Sequence, residues 1–253
     1  AEWDEHSFSW ETTAGYKFEK NGHALDVLGG FSAYRFVSHD FNLSGKGYMD
    51  DAIMWNNMNA VLDKETYSAG TAYSKKTKMS VYARLNYNWK SRYYLTVTGR
   101  YDGASNFAAN NKWAFFPSAA VKWNLANENF LKDCDWIDDL SIRVSAGLTG
   151  NDAISTYRSL AVLSSTTGGY LFDGSQPVAF YRSRLDSPDL TWEKTAAYNV
   201  AIDWSMFKGR LNITAEAYKS KTTDLLMSLA VAAQTGYTSR WTNIGSPSNK
   251  GIE

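Results

Sequence analysis

Met79-Ser80-Val81-Tyr82-Ala83-Arg84-Leu85-Asn86-Tyr87-Asn88-Trp89-Lys90 alternates between two kinds of side chain without a break. Met79, Val81, Ala83, Leu85, Tyr87 and Trp89 fall on one face; Ser80, Tyr82, Arg84, Asn86, Asn88 and Lys90 fall on the other. A period of two is that of a β-strand, whose successive side chains point to opposite faces. Seven more stretches carry the pattern, at residues 7–19, 24–36, 93–102, 113–124, 140–149, 195–206 and 211–220. Residues 243–253 read as the start of a ninth strand, and residues 125–138 as a short helix or turn.

The connectors sort by length. After the first, third, fifth and seventh strands come residues 20–22, 90–92, 125–138 and 207–210. After the second, fourth, sixth and eighth come residues 37–78, 103–112, 150–192 and 221–242. Three of the first set are tight, and Asn21-Gly22 is a strong hairpin signal because both residues tolerate positive φ. Three of the second set are long; only the connectors at 103–112 and 125–138 are of similar length. Short turns on one rim and long loops on the other characterise an outer-membrane β-barrel, with the short rim periplasmic. Tyr87, Trp89, Tyr93, Trp123 and Trp204 sit at the short-turn ends of their strands, where an interfacial aromatic girdle belongs. Arg84, Arg100, Lys122, Arg143, Asp203 and Glu216 sit mid-strand, opposite the apolar residues, as a watery lumen requires. Alternation alone also fits a soluble β-sandwich with its apolar faces turned inward. Connector lengths and aromatic positions favour an all-β, transmembrane antiparallel barrel.

Composition narrows the function. The chain has 253 residues, with 26 basic and 26 acidic side chains, so net charge makes no case for nucleic acid. No run of about 18 apolar residues occurs, which removes a transmembrane helix but leaves a barrel untouched. Aromatic content is 15%, an excess that girdles or a sugar-stacking surface would use. Cys134 stands alone, and His6, His23 and His39 lie far apart, so no metal-ligand spacing is present. No nucleophile elbow or other local catalytic signature occurs; the chain is not expected to be an enzyme, and no cofactor is implied. Asp102-Gly103 and Asn110-Asn111 read as turn formers rather than cation ligands, and Asp50-Asp51 as helix capping. The sequence opens without Met, and both of its ends are strand-like, so it is expected to be a piece of a larger chain.

A series of motifs then appears in order. Arg100-Tyr101-Asp102-Gly103-Ala104-Ser105-Asn106-Phe107 is followed by Asn111-Lys112-Trp113-Ala114-Phe115-Phe116-Pro117-Ser118. Next come Leu140-Ser141-Ile142-Arg143, Gly147-Leu148-Thr149-Gly150-Asn151 and Leu190-Thr191-Trp192-Glu193-Lys194-Thr195. Asp224-Leu225-Leu226, Asn243-Ile244-Gly245 and Asn249-Lys250-Gly251-Ile252-Glu253 close the series. This order resembles the barrel of the SusC/RagA family of TonB-dependent outer-membrane transporters, strongly from about residue 77 onward and more loosely before it.

The resemblance implies part of a 22-stranded barrel, with about eight to nine strands here and no plug domain or TonB box. It implies import of glycans or peptides in Bacteroidota, with a SusD-like surface lipoprotein as lid and the TonB complex acting through the N-terminal part. The implied substrate contacts are the loop aromatics Tyr48, Trp55, Tyr170, Phe172, Phe180 and Tyr181, which could instead pack the loops or meet the lid. Arg84, Arg100 and Arg143 would face the lumen or the plug, with Arg143 assigned to the plug or a neighbouring strand. Two other functions stay open: a SusC-like barrel serving as a structural part of a larger membrane assembly, and a soluble carbohydrate-binding sandwich.

The lipid-facing assignment has a direct test. Val81→Arg or Val144→Arg in the full-length protein should block outer-membrane assembly, each costing about 2–4 kcal/mol near the midplane. Heat-modifiable electrophoretic mobility reads the outcome, and normal assembly of both variants would reverse the faces.

Overall fold

The computed structural model describes residues 2–48, 50, 52, 56–131, 134–166, 171, 173–175 and 177–253. Nine strands form one antiparallel sheet: β1 (Glu2–Lys20), β2 (His23–Ser44), β3 (Ser68–Trp89), β4 (Tyr93–Ala104), β5 (Trp113–Asn124), β6 (Ile137–Asn151), β9 (Glu193–Met206), β10 (Leu211–Thr223) and β13 (Ser248–Ile252). The remaining strands make two hairpins in the long connectors, β7 (Val162–Thr166) with β8 (Ala179–Arg184) and β11 (Leu226–Ala230) with β12 (Ser239–Asn243). A sandwich needs two sheets of comparable size face to face. The described residues form one large sheet, and that overturns the sandwich alternative.

The register proves the two faces. One row of directly paired residues crosses all nine strands: Phe18, Leu25, Tyr87, Leu95, Val121, Val144, Val200, Ala217 and Ile252. Every member is apolar. The adjacent row reads Lys17, Asp26, Asn86, Thr96, Ala120, Ser145, Asn199, Tyr218 and Gly251, with no large aliphatic side chain. The apolar face is also the open one: Val81, Val121, Val144 and Val200 are all about half exposed. Lipid is the solvent that such a face requires, because hydrocarbon against hydrocarbon costs nothing that water would charge.

Tight turns close the short rim. Asn21 and Gly22 both have positive φ, as a two-residue hairpin of matching twist demands. Lys90 and Ser91 take the same conformation, and Asn88 Oδ1 accepts from the Ser91 N–H at 2.9 Å. Phe207, Lys208 and Gly209 are three successive left-handed residues. Neighbouring turns are joined: Lys90 N–H donates to the Gly22 carbonyl at 2.6 Å, and Asn124 N–H to the Arg92 carbonyl at 2.7 Å. Residues 125–131 hold a 3-10 turn (Leu125–Asn127) followed by further turns, and Asp135 and Trp136 form another, in keeping with a short helix or turn there.

Three expectations needed correction. β2 and β3 stay paired up to Ser44 opposite Ser68, well inside the segment 37–78 that the pattern assigned to a loop. Apolar alternation fades above the lipid, yet the backbone ladder continues, so the signal ends before the strand does. The ninth strand begins at Ser248 rather than at residue 243, and Asn243 belongs to the β11–β12 hairpin. The segment 150–192 carries its own hairpin, β7–β8.

Close approach fixes Gly30 on β2. A Cβ on Gly30 would lie 2.4 Å from the Tyr82 ring carbon Cζ, whereas one on neighbouring Gly29 would meet nothing within 4 Å. Gly30→Ala should therefore destabilise the folded barrel by about 1–3 kcal/mol, as overpacking does. Gly29→Ala should be close to neutral in the same denaturant titration. Equal effects of the two would refute the Tyr82 contact.

Candidate functional site

The lumen face carries paired charges, some within one strand and some between neighbouring strands. Arg100 on β4 donates from Nε to both oxygens of Asp102 at 2.7 and 2.8 Å and from Nη2 to Ser80 Oγ at 2.8 Å. Its guanidinium also lies 5.3 Å from the centre of the Tyr82 ring. The Tyr82 hydroxyl donates to Glu11 at 2.5 Å, carrying the network across β3 to β1. Arg143 on β6 makes a two-pronged contact with Asp203 on β9, at 2.6 and 3.0 Å, and Thr214 on β10 donates to the same carboxylate at 3.1 Å. Fork-to-carboxylate geometry of this kind is the most specific ion pair proteins make. The Asn199 amide donates to Glu216 beside it. Arg84 is exposed and has no hydrogen bond or ion pair among the described residues.

At the long rim the loops share a core of their own. Phe107, Phe116, Leu190 and Trp192 are buried together with Ala104, Ala114 and Ile154. Trp192 packs on Phe107 at 4.9 Å and edge-on to Phe116 at 5.4 Å between ring centres. Its indole N–H donates to the Lys112 carbonyl at 2.9 Å, so the ring is buried without an orphaned donor. Asn106 is fully buried and donates to the Ile154 carbonyl at 2.9 Å. Asn243 donates to the carbonyls of Thr191 and Asp224 and accepts from the Thr191 N–H. These contacts tie residues 105–112, 152–154, 187–192 and 224–243 into one unit.

Asp152 locks that unit to the wall. Lys78 and Lys76 on β3 approach its Oδ2 at 2.7 and 3.1 Å. Burial pushes the Asp152 carboxyl up, but the hydrogen bonds from Lys78 and Lys76 outweigh it and hold the group below the usual carboxylate range. At the short rim Glu128 is also held low, first by the hydrogen bonds from Tyr93 and Trp123, with Arg92 adding its charge at 3.1 Å.

The residues singled out in the sequence fare differently. Tyr48 is bridged to Val61, and its hydroxyl lies 2.8 Å from Met58 Sδ, so it packs within its own loop. Phe180 and Tyr181 stand exposed on the β7–β8 hairpin, at 74% and 52%. Trp55, Tyr170 and Phe172 lie outside the described residues, as does Asp51. Trp89 stacks on Tyr93 and Tyr93 on Trp123, at 5.6 and 6.3 Å, while His23 lies against Tyr87 and Trp89. Trp204 meets Trp136 at 6.0 Å. Sequence reasoning passed over Asp152, Tyr82 and Glu11, whose spacing along the chain gives no hint of contact. It quoted Asn106, Phe107, Trp192 and Asn243 as motif residues, and the structure gives those motifs a physical content: they are the rim core.

The family model for the TonB dependent receptor-like β-barrel matches residues 2–253. The chain belongs to that family. TonB-dependent receptor P26 of Formosa agariphila is 35% identical over 246 residues, covering 96% of this chain and 24% of that protein. TonB-dependent receptor SusC of Bacteroides thetaiotaomicron is 37% identical over 188 residues, covering 72% of this chain and 19% of SusC. Among solved structures, the RagAB peptide transporter superposes with a TM-score of 0.88 at 27% identity, over 99% of this chain and 27% of that one. The SusC/RagA kinship and the outer-membrane multi-pass barrel location follow. This TonB-dependent receptor chain spans about a quarter of the length of the relatives it matches.

The pH response of the rim follows from Asp152. Its folded carboxyl titrates below its unfolded value, so its contribution is complete above the ordinary carboxylate range and is lost as pH falls through the folded value. Hydrogen exchange of residues 105–112 in the full-length receptor should stay slow from pH 7 to 5 and quicken below. Asp152→Asn should be less protected already at pH 7. Identical exchange in the two proteins would show that this ion pair does not hold the rim.

Proposed function

We propose that this barrel wall belongs to a SusC-like importer of large nutrients, glycans or peptides, working with a SusD-like lipoprotein lid and driven by the TonB complex. The observation that carries it is the lumen wall: charges paired within a strand at Arg100–Asp102 and between strands at Arg143–Asp203, behind an apolar outer face, in a sheet that superposes on RagAB at a TM-score of 0.88. Paired charges give a hydrated but inert lining, which lets a large polar solute slide without being trapped.

Roles within the wall follow from position. Arg84, alone among the three lumen arginines in having no partner among the described residues, is the one available to a plug or a solute; Arg100 and Arg143 serve the wall itself. Phe180 and Tyr181, exposed on their hairpin, are the aromatics placed to meet substrate or lid. Tyr87, Trp89, Tyr93, Trp123 and Trp204 form the lower interfacial girdle.

Deleting the full-length gene should abolish growth on a class of large glycan or peptide while leaving growth on its small products intact. A tagged copy should restore that growth only in a strain with a working TonB complex, and should pull down a SusD-like lipoprotein. If the tagged protein captures only secretion components and growth is unchanged on every large nutrient tried, the uptake reading fails and the barrel is structural.

A further inference from the structure

On the lipid-facing side of β9, β10 and β13 the apolar run ends in lysine. Along β10 this face presents Leu211, Ile213, Ala215 and Ala217, then Lys219 and Lys221. On β13 it presents Ile252 and then Lys250; on β9 it runs from Trp204 through Val200 and Tyr198 to Lys194. Lys219 is paired directly with Lys250 on one side and with Tyr198 on the other. Like charges directly opposite one another in a sheet are destabilising, so the pair calls for an anion between them.

The described residues of β9, β10 and β13 supply none on this face. The acidic residues of β9 and β10, Glu193, Asp203 and Glu216, all fall on the lumen face. Lys219, Lys221 and Lys250 are exposed and Lys194 is half-buried; none of the four ammonium groups makes a hydrogen bond or ion pair among the described residues. Height identifies the anion. Lys219 lies eight residues above Leu211, a rise of roughly 20 Å for a strand tilted by about 40°. Tyr101, eight residues above Tyr93 on β4, marks the same level and stacks on Trp113 at 5.0 Å. That level is the upper edge of an apolar band about 25 Å tall, where the headgroups of the outer leaflet begin.

We propose that Lys194, Lys219, Lys221 and Lys250 form a binding site for the phosphate of an outer-leaflet lipid headgroup. Tyr198, 57% exposed beside Lys219, packs against the sugar or acyl boundary of that lipid. The site rests on the outward assignment of this face and is independent of what the barrel transports.

The test uses the full-length protein in a neutral detergent, with phosphorylated lipid A, its dephosphorylated form and free inorganic phosphate as probes. Phosphorylated lipid A should bind about tenfold or more tightly than the dephosphorylated form, given the worth of each lysine near an anionic headgroup. Lys219→Gln combined with Lys250→Gln should erase that preference, while Lys208→Gln on the opposite rim should keep it. Heat-modifiable mobility confirms that each variant is folded. If the double variant does not fold, the lipid comparison on the unaltered protein still decides. Equal binding of the two lipids overturns the site. Full displacement of the lipid by millimolar inorganic phosphate would make this a free-anion site and overturn the lipid assignment.

Discussion

Backbone hydrogen bonding inside hydrocarbon is the constraint from which the rest of this chain follows. A peptide group facing lipid has no water to turn to, so each strand must be paired along its length with a neighbour. Nine strands paired in strict antiparallel order meet that demand, and pairing in turn forces the two faces apart with a period of two. The apolar row from Phe18 to Ile252 and the polar row beside it are two readouts of one ladder. The lumen network is a further consequence. Arg143 and Asp203 can bond across β6 and β9 because the same register brings Ser141 opposite Asp203 and Arg143 opposite Ala201.

What was legible in the sequence was what lipid imposes. Residues 113–124 came out with the bounds of β5, because the apolar alternation there fills the whole strand. The upper halves of β2 and β3 were hidden for the opposite reason: above the bilayer both faces meet water, and residues such as Lys75, Lys76 and Lys78 break the alternation while the ladder runs on. The rim was hidden more deeply. Asp152 meets Lys76 and Lys78 across more than 70 residues of chain, a distance removed only when the segment after β6 folds back over β4 and β5 to β3. The motif residues Asn106, Phe107, Trp192 and Asn243 could be quoted from the sequence, but their meeting at one core could not.

The division of labour between wall and rim is also one of materials. The wall is held by a regular ladder and needs little from individual side chains. The rim is an irregular structure that uses two side-chain amides, those of buried Asn106 and half-buried Asn243, to satisfy loop carbonyls that no strand partner reaches. A rim built this way keeps a fixed shape on loops that would otherwise wander, and it presents the exposed β7–β8 hairpin from a firm base.

The extended β2–β3 ribbon sets a length scale. From Met79 opposite Ala33 to Ser68 opposite Ser44 the pair continues for eleven further residues, roughly 25–30 Å of height at the tilt of a barrel strand. Its tip therefore stands above the hydrocarbon edge by about the thickness of the hydrocarbon itself. A partner tethered to the bilayer surface meets the flank of this ribbon before its end. A macromolecule arriving from solution meets the end first. One ribbon thus offers two docking depths, sorted by whether the visitor comes along the membrane or across the open medium.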